Sequence, residues 1–180
     1  TGTLIIKDSL DLINLFPFVG EEYVELDIKT PTLKTGNITG KFYIYKMTDR
    51  DMLGDRSVVY QLHFTSQDAL VDMNKSISRS FSGKVSDIAK KFLSDKTIGL
   101  QSSVPSLLEE TSNETKYISN FWSPIKNIIY LTENAVNKQG SPSYIFYQNR
   151  DGYNFISLDT LTQQPISQTF TYDNYTRDVR

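Results

Sequence analysis

The 180-residue chain has no cysteine, one histidine and one tryptophan, and each scarcity closes a line of chemistry. Without cysteine there is no disulfide, no thiolate nucleophile and no zinc ribbon, and the redox compartment leaves no mark on the sequence. A Ser-His-Asp triad would have only His63 to draw on. No run of about 20 apolar residues is present to span a bilayer as a helix. An excess of one charge is missing too: 19 basic and 21 acidic residues give a net charge of -2. They are well mixed, 9 against 11 before Gly83 and 10 against 10 from there on. Tight binding to a phosphate backbone is therefore not implied. What is present is apolar and aromatic material, 38% and 12% of the residues, enough to bury one large core or two small ones.

The first part of the chain alternates with period two. Val24, Leu26 and Ile28 share one face of a strand and Tyr23, Glu25, Asp27 and Lys29 the other, with Pro31 ending it. Lys41 to Met47 follows a turn at Gly36 to Gly40. Ser57 to Thr65 alternates again, with Val58, Tyr60, Leu62 and Phe64 opposite Val59, Gln61 and His63. Leu4 to Ile6 reads as a short strand and Asp8 to Phe16 has helical spacing until Pro17. These segments predict a small antiparallel sheet or barrel.

Near Gly83 the period lengthens. Ser82 is expected to cap a helix whose apolar stripe is Val85, Ile88, Ala89, Phe92 and Leu93. Before it, Ser66 to Met73 reads as a helical turn and Ser76 to Phe81 as extended chain. Leu100 to Thr115, rich in Ser, Glu and Thr, reads as a loop. A second helix opens with Ser123 as cap and Pro124 as first residue, with Ile125, Ile128, Ile129, Thr132, Ala135 and Val136 along one side and Asn137 to Gly140 as the stop. Two aromatic strands, from Tyr144 and to Phe155, are expected to pair across Asn149 to Gly152. Leu158 to Leu161 reads as a last helical turn and Phe170 to Tyr172 as a short final strand.

The candidate sites are sparse. His63 sits inside an alternating strand, where a structural role outweighs a triad. Glu21 with Glu22, Glu109 with Glu110, and Asp49 with Asp51 are the carboxylate pairs open to glycoside cleavage, but adjacent acids more often form solvated surface. Asp49-Arg50-Asp51 followed by Gly54-Asp55 lacks the ordered acids and terminal glutamate of a calcium loop and reads as a polar hairpin turn. Phe42-Tyr43-Ile44-Tyr45 could stack on bases or sugars, but no Lys and Arg are interleaved with it. Trp122 reads as a core anchor under a helix start. Asn37, Asn113 and Asn174 head glycosylation sequons too common to carry weight. No catalytic, metal or cofactor residue is assigned, and the expectation is a non-enzyme without cofactor and without membrane insertion.

The strand ending in Leu62 to Leu70, then Ser80-Phe81-Ser82-Gly83 and a helix, Asn120-Phe121-Trp122-Ser123-Pro124-Ile125 and a helix to Asn134-Ala135-Val136-Asn137, and Tyr144 to Leu161 together carry a resemblance. From about Val58 onward the chain resembles the amino-terminal half of the central baseplate hub subunit of T-even-like contractile-tail bacteriophages. The resemblance implies an α+β protein, with a barrel-like tube domain over 1–82 and a peripheral α/β domain over 83–180 that holds two main helices and the aromatic hairpin. It also implies a structural virion component that forms a trimeric ring, joins the tail tube to the central spike, contacts wedge proteins and meets DNA only in transit. Two related tube domains per subunit belong to that pattern, so a start at Thr1 and a stop at Arg180 lead us to expect a piece of a longer product. The rival expectations are a ligand-binding or adhesive β-rich module and a tail-associated lysozyme.

Overall fold

The computed structural model describes residues 1–29, 38–54, 56–103, 106–166 and 169–172. Expectations resting on Pro31, Gly36, Asn37, Asp55 and Asn174 lie outside the described residues. The elements run β1 (Gly2–Asp8), α1 (Leu12–Leu15), β2 (Tyr23–Ile28), β3 (Ile38–Met52), β4 (Val58–Thr65), α2 (Gln67–Asn74), β5 (Ser80–Lys84), α3 (Val85–Ser94), β6 (Ser106–Leu108), β7 (Glu114–Ile118), α4 (Pro124–Glu133), β8 (Tyr144–Asn149), β9 (Gly152–Ser157) and α5 (Leu158–Thr162). The protein is mixed α+β, with more strand than helix.

The first four strands make one antiparallel sheet in the order β1-β4-β3-β2, curled into a half-barrel. Its register follows the period-two alternation. Leu4, Ile6, Ile44, Val58, Tyr60 and Leu62 gather around Ile13 of α1 in a small core. The alternate positions, among them Thr3, Gln61 and His63, pair across the other face. β3 departs from regular pairing twice, between Ile44 and Lys46 and between Thr48 and Asp51. Such bulges bend a strand and raise its twist, which is how a four-stranded sheet comes to curl. At the second bulge Asp49 takes φ 53. Asp49 to Asp51 therefore lies in a bulged strand and not in the expected hairpin turn, which falls later and is closed by the Leu53 N–H donating to Ser57 O at 2.7 Å.

The larger core is built by the second half of the chain. Val85, Ile88, Ala89, Phe92 and Leu93 of α3 pack with Ile128 and Leu131 of α4 and with Tyr144, Tyr153 and Phe155 of β8 and β9. β8 and β9 pair from Tyr144↔Ser157 to Asn149↔Gly152, with Gly152 at φ 140. The Asn149 side chain closes the turn by accepting from the N–H groups of Asp151 and Gly152, both at 3.0 Å.

Four sequence expectations are corrected here. Ser82 caps nothing: it lies in β5 opposite Lys116 of β7, and α3 starts at Val85. The Leu100 to Thr115 stretch is not all loop, because β6 runs parallel to β9 within it and β7 starts at its end. The inward face of α4 is Pro124, Asn127, Ile128 and Leu131, so Ile129 points outward. Its phase is set by Asn127, whose side chain accepts from the Tyr117 hydroxyl and donates to Trp122 O at 3.0 Å and Ser123 O at 2.8 Å. Ser123 does cap α4, accepting from the Lys126 N–H at 3.4 Å, and Asp72 adds a bond from the Ile125 N–H at 2.7 Å. Residues 169–172 form no strand. Among the described residues no helix is long and apolar enough to cross a membrane.

Candidate functional site

The curled sheet ends in two strands that have a neighbour on one side only, β1 and β2. Each presents backbone donors and acceptors that no strand among the described residues meets, an arrangement that invites pairing with another chain. Between them runs the connector that holds α1. Asp8, itself buried, folds its start by accepting from the N–H groups of Leu10 at 3.0 Å and Ile13 at 3.2 Å. Glu22 folds its end by accepting from Val19 N–H at 2.6 Å and Gly20 N–H at 2.9 Å. Those bonds also hold the Glu22 carboxyl below its ordinary pKa. The connector is thus ordered locally, yet Leu10, Leu12, Leu15, Phe16, Phe18 and Val19 are all exposed, Phe16 at 74% and Val19 at 78%. So many exposed apolar side chains on a short segment make it the candidate surface of this half of the chain.

The residues weighed for catalysis do not converge. His63 bridges two strands, its Nδ1 lying 3.2 Å from Thr3 Oγ1 and its Nε2 2.8 Å from Thr48 Oγ1. Both ring nitrogens are therefore taken up by hydroxyls, and no carboxylate orients the ring. Glu109 is fastened to the start of α5, accepting from the Ser157 N–H at 2.8 Å and its hydroxyl at 3.0 Å. Glu110 meets Lys84 at 2.5 Å and Lys138 at 3.4 Å, and the two ammonium groups hold its carboxyl below the usual range. Glu21 and Glu22 sit on the connector, Asp49 and Asp51 at the bulge of β3. Glu109 and Glu110 border one small pocket and Asp51 lines the cavity beside the connector, but both glutamates are bonded within the chain.

The aromatic run Phe42 to Tyr45 divides between the two faces of the sheet. Phe42 meets Phe64 edge-on at 5.4 Å, while Tyr45 leans toward His63 at 6.2 Å. Lys41 lies 3.6 Å over the Tyr23 ring. Trp122 is half-buried, meeting Tyr130 edge-on at 5.3 Å with the Lys126 ammonium 4.9 Å from its ring. Asn113 spends its side chain internally, donating to Asn134 O at 2.7 Å and accepting from the Val136 N–H at 3.0 Å. Among the described residues no group of three or more His, Cys, Asp or Glu could hold a metal ion. A cavity of about 510 Å³ opens beside the connector, lined by Asp8, Asp11, Asn14, Arg50, Asp51 and Arg56 among others. Its largest polar feature is a mixture of both charges, with Arg50 donating to Asn14 Oδ1 at 3.1 Å.

Sequence reasoning missed the connector as a surface because its apolar residues look like an ordinary helical stripe. Only Ile13 of that stripe is buried.

Burial raises the pKa of several tyrosine hydroxyls, among them Tyr60, Tyr117, Tyr144 and Tyr153. The Tyr144 hydroxyl, buried and close to the Glu109 charge, is pushed up to about 12 from its ordinary value of 10.0. The folded chain holds that proton more tightly than the unfolded chain, so its contribution is complete below pH 10 and falls as pH rises toward 12. Tyr144→Phe is expected to flatten the alkaline limb of the stability curve between those values, read by denaturant melts at stepped pH. An unchanged slope would remove Tyr144 as its source.

No protein-family model matches this chain. No curated protein matches it either.

Proposed function

We propose that the chain is a structural part of a contractile-tail baseplate, the central hub subunit that joins the tail tube to the central spike. The observation that carries this reading is the curled antiparallel sheet with both edge strands uncovered and an exposed apolar connector between them. A half-barrel of this kind completes its hydrogen bonding most directly by pairing with copies of itself around a ring. Four strands in strict antiparallel alternation favour such pairing. β1 and β2 run in opposite directions, so β2 of one subunit meets β1 of the next without breaking the pattern. In that ring the face bearing Thr3, Lys7, Lys46, Thr48, Gln61 and His63 turns to the channel.

The finer architecture belongs to the same reading: a tube domain followed by a peripheral α/β domain, each with its own core. We place the division at the end of β4, because α2 sides with the larger core through Val71 and through Tyr153, whose hydroxyl donates to Asp68 at 3.0 Å. The partners are two further copies in a trimeric ring, the tail-tube and central spike proteins, and wedge proteins outside, and the place is the virion. A non-enzymatic ligand-binding module is the second reading, favoured by the cavity lined by Arg50 and Arg56. A tail-associated lysozyme is third, and the internal bonds of Glu109 and Glu110 speak against it.

Native mass measurement of the complete gene product tests the first reading. A three-fold assembly is expected, and a monomer at micromolar concentration would sink it. Peptidoglycan turnover lost on a single carboxylate change would favour the lysozyme instead.

A further inference from the structure

The outward face of α4 carries a charge pattern that the core does not explain, although Tyr130 stacks on Tyr117 at 5.4 Å and Lys126 lies 4.9 Å from the Trp122 ring. Lys126, Ile129, Tyr130 and Glu133 follow i, i+3, i+4, i+7 spacing and so share one stripe, opposite the buried Pro124, Asn127, Ile128 and Leu131. Ile129 is 50% exposed and Tyr130 38%. Lys126 and Glu133 are exposed on either side of them.

Both charges stand at the wrong end of their own helix. A helix N-terminus favours acids and a C-terminus favours bases. Here Lys126 is in the first turn and Glu133 closes the last, with no acid in the first turn and no base in the last. A second helix laid antiparallel reverses the penalty, since its carbonyl end faces Lys126 and its amide end faces Glu133.

The stripe also has a centre of symmetry in sequence, between Ile129 and Tyr130. A two-fold axis through that point sets Lys126 against the partner's Glu133 and Ile129 against the partner's Tyr130, each contact made twice. The two charges of one helix are about 10 Å apart along its axis, so the same spacing meets itself end to end.

A strained residue stands just before the helix. Phe121 holds φ 54, a left-handed conformation that bulky side chains avoid, and its ring is 71% exposed. Strain kept without internal packing points outside the chain. Ile118, also exposed, ends β7 beside it. β7 runs antiparallel to α4, with Asn113 bonded near the helix end and Tyr117 stacked on Tyr130 at 5.4 Å. Tyr117 faces α4, so Ile118, the next residue of the strand, faces away from it.

We infer that this face is a self-complementary dimer surface, occupied by α4 of a second copy laid antiparallel. Two Lys126–Glu133 ion pairs bracket an apolar centre of Ile129 and Tyr130. The surface is distinct from the sheet edges of the ring reading, so either can fail without the other.

The absence of cysteine makes the test clean. Lys126→Cys and Glu133→Cys chains, prepared separately, are mixed and treated with a short bis-maleimide. The mixture is expected to give a cross-linked dimer at about ten times the yield of either chain alone, because only unlike positions meet across the axis. Sedimentation should show a wild-type dimer at about 100 μM, and Ile129→Asp should raise its dissociation constant by about tenfold or more with unchanged circular dichroism. Lys126→Glu should weaken the dimer, and adding Glu133→Lys should restore it. A monomer at that concentration, equal cross-linking in the separate chains, or a dimer indifferent to Ile129→Asp overturns the proposal.

Discussion

Replacing Phe92 with alanine is expected to lower stability by about 3–5 kcal/mol, the cost of removing a large aromatic side chain from a closed core. Phe92 is fully buried on α3 and tilts against Phe81 at 4.9 Å. Domains of this size hold only about 5–15 kcal/mol in total, so the loss is a large share of it. Trp122 reports on this core: it is the sole tryptophan and sits at the start of α4, whose inner face lines the cluster. Its fluorescence in a urea titration should show the midpoint fall sharply with little change in slope. Ile88 and Leu93 lie on the same helix face and cannot close the gap without moving α3. A midpoint shift equivalent to less than about 1 kcal/mol would mean that the cluster repacks freely, contrary to the density expected of it.

The second large effect concerns assembly. Phe16→Asp combined with Val19→Asp should leave the fold of a single subunit intact, because neither side chain is packed. On the ring reading proposed above, the same pair should weaken subunit assembly by about a hundredfold or more, the scale set by loss of an aromatic anchor from an interface centre. Comparing native mass spectra of the two proteins at matched concentration reads this directly. Should the ring persist with both aspartates in place, the connector is not part of the subunit contact, and the sheet edges alone must hold it.

Much of this structure was legible in the residues, and the exceptions have a common cause. The alternation in β2 and β4 and the apolar stripe of α3 are local signals, fixed by side chains within a few positions of one another. Ser123 and Pro124 likewise announced the start of α4 through chemistry confined to its first turn. β6 and β7 gave no such signal, and of β5 only the extended run to Phe81 was legible. They are three to five residues long, and their strand character comes from partners about 30 to 50 positions away. Ser82 looked like a cap because serine suits both roles, and only pairing with Lys116 decides between them. In α4 the phase was misread because a polar residue, Asn127, points inward to meet Tyr117 while Ile129 points out. The connector surface was hidden for the opposite reason: its residues have helical spacing, but a single turn has too little face to bury them. For the carboxylate pairs, sequence gave adjacency and structure gave employment, with Glu109 bound to Ser157 and Glu110 to two lysines.

The parallel pairing of β6 with β9 sets an order of events during synthesis. Ser106 finds its neighbour only at Tyr153, so the early partner must wait on the ribosome while nearly fifty residues emerge. The β8–β9 ribbon, closed by a two-residue turn, forms first and supplies the template. Folding of the second half should therefore be governed by this late, distant closure, which contact-order arguments place among the slower steps.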